Sequence, residues 1–240
     1  MGIAAAVLYS AGKDSTYAIQ KLREEGCDVV CLISMISENP DSYMLHTANI
    51  QMTELGARAL EIPLVTGRTA GRKEEELVDV QSTIFRAKNE FHFDVLGCGG
   101  IASVYQKTRI EKLAKDCGLT AMAPLWGIDQ EAYMRKLALL KYSFILTSVS
   151  AEGLDERWLG RIMDEKAVEE LISLSRKFGF NVALEGGEGE TLVLDCPLYS
   201  NRCIKIVESN KKWERGAGIL EIFRAELIPK SVVDRHTRLN

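Results

Sequence analysis

The chain has 240 residues, 46% of them hydrophobic and 27% charged, with a formal net charge of −4. Roughly 100–200 residues per domain suggests one large domain or two small ones, with a core large enough to fold without staples. These values exclude a disordered chain, a collagen and a disulfide-dense scaffold, and the acidic balance excludes a general nucleic-acid coat protein, whose affinity comes from neutralising phosphates.

Ile3–Tyr9 is a short unbroken apolar run, the pattern of a central parallel strand covered on both faces. It has no basic segment before it and reads as a strand rather than a leader, so the chain is expected to be cytoplasmic. Asp14–Glu25 reads as a helix with Ala18, Ile19 and Leu22 on one face and Gly26 as its stop. Val29–Met35 is a second strand. Ala48, Met52, Leu55 and Ala59 fall at helical spacing, and Ile62–Val65 is a short strand. Leu77, Val80, Ile84 and Ala87 mark an amphipathic helix whose early charges, Lys73 to Glu76, read as a solvated start. Phe93–Cys98 is a strand, Ile110, Leu113, Ala114 and Cys117 mark the next helix, and Leu119–Ala123 closes the series.

Strands alternating with helices predict βαβ units and a parallel sheet. The rhythm changes near residue 125. Asp129–Lys141 and Asp164–Lys177 read as helices opened by acidic caps, with Ser143–Val149 as a strand between them. Val182–Glu185, Thr191–Leu194, Cys203–Val207 and Ile219–Leu227 then read as strands, partly alternating as in an antiparallel sheet. The expected fold class is α/β: a Rossmann-like parallel sheet flanked by helices over residues 1–125, then a smaller α+β subdomain over 126–230. The polar tail 231–240 is expected to be poorly ordered.

The six cysteines form no Cys-x-x-Cys pair and the three histidines are scattered, so buried thiols are expected rather than a zinc site. No apolar stretch reaches the roughly 18 residues of a membrane span. Ser10-Ala11-Gly12-Lys13-Asp14-Ser15 stands between the first strand and the first helix, where open α/β sheets bind ligands. Such a loop offers backbone N–H groups, two hydroxyls, a lysine and the helix dipole to a phosphate. It is neither a Walker A loop, since Val7 occupies the place of its first glycine, nor a dinucleotide fingerprint. Glu185-Gly186-Gly187-Glu188-Gly189-Glu190-Thr191 is the second unusual segment. Carboxylates this dense repel one another unless a cation meets them, or else form a solvated acidic turn.

The first of these segments resembles the PP-loop of the N-type ATP pyrophosphatases, Ser-Gly-Gly-Lys-Asp-Ser, with Ala11 in place of a glycine. Four further segments narrow the resemblance. They are Ser37-Glu38-Asn39 with Tyr43–Thr47, Pro124-Leu125-Trp126, Gly153-Leu154-Asp155, and the acidic glycine segment followed by Leu194–Pro197. In this order they resemble the diphthine–ammonia ligase family over nearly the whole chain.

That resemblance implies an ATP-dependent amide ligase. ATP adenylates the carboxylate of diphthine, a modified histidine of elongation factor 2 that carries a trimethylammonium group. Ammonia then displaces AMP to leave diphthamide. On this reading Lys13, Asp14 and Ser15 act at the phosphates, with Ser10, Ala11 and Gly12 completing the loop. Asp14 either caps the helix or holds Mg²⁺ through water. Ser34 and Met35 contact the adenine, and Gly97, Gly99, Gly100 and Ile101 wall the nucleotide. Arg109 reaches a phosphate, and His46 contacts phosphate or substrate. Glu185, Gly186, Gly187, Glu188, Glu190 and Thr191 receive the substrate, with Trp126 and Trp158 as candidate aromatic partners for its cation. No glutaminase-type Cys–His pair is recognisable, so free ammonia is the expected nitrogen source. Neither stable nucleic-acid binding nor membrane association is expected, and a homodimer is possible. Two other readings stay open: an ATP- or AMP-binding regulator without ligase activity, and an RNA-thiolating PP-loop enzyme.

Overall fold

A computed structural model describes residues 2–37, 49–70 and 75–230, with the backbone alone at Ile50 and Glu75. The chain divides into two compact units. The first comprises Met1–Thr53 and Ile62–Ile128, and the second Glu54–Glu61 and Asp129–Asn240.

The first unit is built on five parallel strands: β1 (Ile3–Leu8), β2 (Cys27–Ser37), β3 (Leu64–Thr69), β4 (Val95–Gly97) and β5 (Thr120–Met122). Their order is β3-β2-β1-β4-β5. The chain moves outward from β1 to β3 and then returns to the other side of β1, which creates a topological switch point between β1 and β4. Helices α1 (Lys13–Glu24), α3 (Glu75–Phe91) and α4 (Val104–Asp116) connect the strands. One sheet face carries Ala6, Cys31, Ile33, Met35 and Leu96, packed in one cluster with Val80, Ile84 and Ala87 of α3 and Leu113 and Ala114 of α4. Side chains alternate along a strand. Gly97 therefore faces the other way, and the space left by its missing Cβ is filled by Leu22 of α1, whose Cδ1 would lie 2.4 Å from it.

The second unit contains α2 (Thr53–Leu60) for all but its first residue, α5 (Gln130–Leu139) and α6 (Glu165–Phe178). Its antiparallel sheet has the order β7-β6-β9-β8, made from β6 (Ser143–Val149), β7 (Gly189–Asp195), β8 (Arg202–Glu214) and β9 (Ala217–Pro229). Asp129 and Asp164 cap α5 and α6 as expected, accepting from the amides of Ala132 at 2.7 Å and Ala167 at 2.8 Å. Arg135 and Arg176 both pair with Glu131, and Arg135 also with Glu169, which ties α5 to α6 and holds both carboxyls below their ordinary range.

Three expectations need correction. Val182–Glu185 is not a strand. The Asn181 side chain accepts from the Ala183 amide at 2.9 Å, an Asx turn, and Leu184 takes a left-handed φ of 62°. The third strand runs to Thr69, because Thr66 and Arg68 continue the alternation on the exposed face. β8 runs to Glu214, well beyond its expected end at Val207, because the polar run from Glu208 to Lys212 pairs with β9 although it buries nothing, whereas β9 extends its expected range by only two residues at each end. His46 and Tyr43–Thr47, Glu38 and Asn39, and the tail from 231 lie outside the described residues.

Candidate functional site

Residues Ser10–Ser15 lie between β1 and α1, at the carboxyl end of the switch point. Gly12 is the N-cap of α1 and puts no side chain over the helix start. Asp14 therefore sits inside the first turn rather than at the cap, which removes the first of its two alternative roles, capping the helix. The loop is held from within. Ser10 and Ser15 hydroxyls lie 3.2 Å apart, the Ser10 amide donates to Ser15 Oγ at 3.3 Å, and Ser15 Oγ donates to the Gly12 carbonyl at 3.2 Å. Thr16, which the sequence reading omits, donates its buried hydroxyl to the same carbonyl at 2.8 Å. Its place directly after the motif was the available signal. Lys13 is buried at 1% exposure, and its ammonium lies 2.8 Å from Asp14 Oδ2. A buried positive charge at a helix start with one carboxylate beside it is poised for an anion.

Ala11 adopts φ 61°, the left-handed region that favours glycine, and is fully buried. An alanine there costs about 1–2 kcal/mol of local strain. Ala11→Gly relieves that strain. It also loses a buried methyl, worth about 0.8 kcal/mol, and loosens the unfolded chain by about 0.4–1 kcal/mol. These nearly cancel, so the variant is expected to melt within about 1 kcal/mol of the parent with an unchanged KM for ATP. Thermal unfolding and steady-state kinetics check this.

Gly99 closes the other side of the crevice. A Cβ on it would lie 2.6 Å from both the Asp14 carbonyl carbon and the Ser15 amide nitrogen, so this segment lies directly on the first turn of α1. Gly100 has nothing within 4 Å of the same position. Gly97 and Ile101 are packed inward, and Ile101 accepts from the Gly127 amide at 2.9 Å. Ser34 is buried on the α1 face of β2, opposite Ile33 and Met35, and its hydroxyl has no partner among the described residues. Met35 lies against Gly67 of β3. Arg109 stacks on Tyr105, 3.5 Å from the ring centroid, and stays on α4.

In the second unit the acidic glycine segment forms turns leading into β7. Glu188 folds back on its own loop: Oε1 accepts from the Asn181 amide at 3.0 Å and Oε2 from the Gly186 amide at 2.6 Å. Ser150 anchors the loop from outside. Its hydroxyl donates to the Gly187 carbonyl at 2.7 Å, and its amide to the Glu188 carbonyl at 2.8 Å. Gly189 lies so close to β6 that a Cβ would fall 2.6 Å from the Ser148 carbonyl oxygen. Glu185, Glu190 and Thr191 flank this clasp. Glu188→Gln keeps one acceptor and turns an NH₂ toward the other amide. Losing one such hydrogen bond, where water can reach the freed donor, costs about 0.5–1.5 kcal/mol. The variant is expected to lower the melting temperature and raise the KM for a protein substrate while leaving the KM for ATP unchanged.

Gly153-Leu154-Asp155 is structural in form. Gly153, at φ 89°, leaves room for the Phe178 ring, and Asp155 caps a short helical turn and pairs with Arg157. Trp158 is buried at 2% exposure beneath Arg161. All six cysteines are free and buried, and burial pushes the Cys31 and Cys196 thiols up to about 12. Such thiols stay protonated near neutral pH, which is unsuited to a sulfur relay. Among the described residues no group of three or more His, Cys, Asp or Glu is placed to hold a metal, and no helix is long and apolar enough to cross a membrane.

Residues 3–121 match the model of the diphthamide synthase N-terminal domain, and residues 129–228 that of the diphthamide synthase C-terminal domain. The diphthine–ammonia ligase of Rattus norvegicus is 33% identical over 218 residues, covering 83% of this chain and 81% of the relative. That of Homo sapiens is 32% identical over the same shares. The Schizosaccharomyces pombe ligase is 32% identical over 213 residues, covering 82% of this chain and 35% of that protein.

Proposed function

Because this chain belongs to the diphthamide synthase family, we infer that it is an ATP-dependent ligase that amidates diphthine with ammonia. The observation that carries the reading is the uncapped, lysine-bearing start of α1 at the switch point of the parallel sheet. Its protein substrate is elongation factor 2 carrying diphthine, met in the cytoplasm.

The chemistry has two steps. The diphthine carboxylate attacks the α-phosphorus of ATP, and the bond to the β-phosphate oxygen breaks. Pyrophosphate leaves and a mixed anhydride with AMP remains. Ammonia then attacks the acyl carbon, gives up a proton and expels AMP. Negative charge builds on the departing pyrophosphate, so fixed positive groups there favour the transition state over the ground state. Lys13 supplies the charge by exchanging Asp14 for a phosphate oxygen. Ser10, Gly12 and Ser15 supply donors around it, and the Ser34 hydroxyl faces the same side of the sheet.

Magnesium, when bound, neutralises triphosphate oxygens and keeps most of its own waters. Asp14 fits this demand, as a partly exposed carboxylate in the first turn of α1. Pyrophosphate release tests the function. It is expected to require ATP, diphthine-bearing elongation factor 2 and ammonium together. Tight ATP binding without release would instead support a regulator.

A further inference from the structure

A cavity of about 260 Å³ opens at the carboxyl ends of β4 and β5, lined by Cys98, Lys107, Ile110, Glu111, Met122 and Trp126. It is smaller than the roughly 300–1,000 Å³ of whole small-molecule sites and suits a headgroup. Lys107 lies over the Trp126 ring, 4.4 Å from its centroid, and 3.8 Å from Glu111. The pocket thus brings together three groups: the Trp126 face, the Lys107 ammonium that lies over it, and the Glu111 carboxylate beside that ammonium. Trp126 itself is fixed by a turn, its amide donating to Ala123 at 3.0 Å and the next amide to Ile101 at 2.9 Å.

The geometry points to this pocket as the receptor for a zwitterion, a quaternary ammonium with an adjacent carboxylate, which on the function proposed above is the end of the diphthine side chain. A simple anion would meet Glu111 and the negative face of the indole. A simple cation would have to expel Lys107 with no new partner for it. A betaine satisfies all three groups at once. Its trimethylammonium takes the face of Trp126 beside Glu111, and Lys107 swings to its carboxylate. The location agrees. Cys98 lines the pocket and Gly99, the next residue, lies against the first turn of α1, so a carboxylate held by Lys107 is delivered beside the phosphate loop. Trp158, the other tryptophan considered from sequence, is buried in the core of the second unit.

Two measurements test the assignment. The first is saturation-transfer NMR with glycine betaine and its neutral isostere 3,3-dimethylbutanoate on the full chain. Betaine is expected to bind at least about tenfold better than the isostere, and Trp126→Ala and Glu111→Gln each to weaken it severalfold, with Trp126→Phe intermediate. Equal binding of the isostere, or unchanged betaine binding in Glu111→Gln and Trp126→Phe, overturns the assignment. Glu111 is on an exposed helix face, so its variant keeps the fold. This arm reads the pocket whether or not the chain makes diphthamide. The second is steady-state kinetics with diphthine-bearing elongation factor 2. Trp126→Phe and Glu111→Gln are expected to raise its KM about three- to tenfold with the KM for ATP unchanged. A parent that converts diphthine while both variants keep its KM sinks the pocket and leaves the ligase standing. A parent that converts nothing sinks the ligase, and the betaine arm then decides the pocket alone.

Discussion

Replacing Lys13 by alanine is expected to slow diphthamide formation by about two to three orders of magnitude, the range found when one preorganised donor to a developing anion is removed. Lys13 is buried at the first position of α1, with its ammonium 2.8 Å from Asp14 Oδ2. A triphosphate competes with the Asp14 carboxylate for that ammonium and offers several oxygens to it. In the transition state the leaving pyrophosphate gains charge, so the lysine contact strengthens as the bond breaks. The loss should therefore fall on kcat more than on the KM for ATP. Folding should survive, because Asp14 is partly exposed and water can take over its solvation. Lys13→Arg should also fail, because the bulkier planar guanidinium must replace a linear ammonium chain at a site only 1% exposed. Single-turnover pyrophosphate release and thermal melts measure both variants. Unchanged turnover in Lys13→Ala would remove the phosphate role.

The parallel half of the fold is legible because each signal there is local. An apolar run followed by a glycine-bearing turn and an amphipathic helix can hardly be anything other than a strand–loop–helix unit, and β1 and α1 fall within a residue of their expected ends. Legibility fails where tertiary pairing overrides pattern. Glu208 to Lys212 has no buried face, yet it continues β8 because β9 supplies its hydrogen bonds. Asn181 diverts an apolar run into a turn through a side-chain bond that composition does not reveal. At the candidate site the segments are visible in sequence, but the task of each side chain is not. Spacing cannot tell a carboxylate that meets a ligand from one that closes its own loop, as Glu188 does. Nor does it distinguish the buried Trp158 from Trp126 beside a cavity.

Two neighbouring glycines sharpen this point, because they should respond oppositely to the same substitution. Gly99→Ala places a methyl 2.6 Å from the Asp14 carbonyl carbon and the Ser15 amide nitrogen. Both obstacles are backbone, so no side chain can rotate away. Either the turn after β4 or the first turn of α1 must move. Displacing the helix start by a few tenths of an ångström misdirects the amides and Lys13 together, and misplacement of about 1 Å can cost about 10²-fold in rate. Overpacking of this kind also costs about 1–3 kcal/mol of stability. Gly100→Ala adds the same methyl into open space, with no positive φ to oppose it, and should leave melting and turnover close to those of the parent. The pair separates close approach from chain flexibility. If glycine served here only as a hinge, the two variants would lose activity alike. If the segment is a wall pressed against the phosphate loop, Gly99→Ala loses ATP binding and turnover and Gly100→Ala keeps both. Nucleotide binding by calorimetry on the two variants distinguishes these outcomes directly.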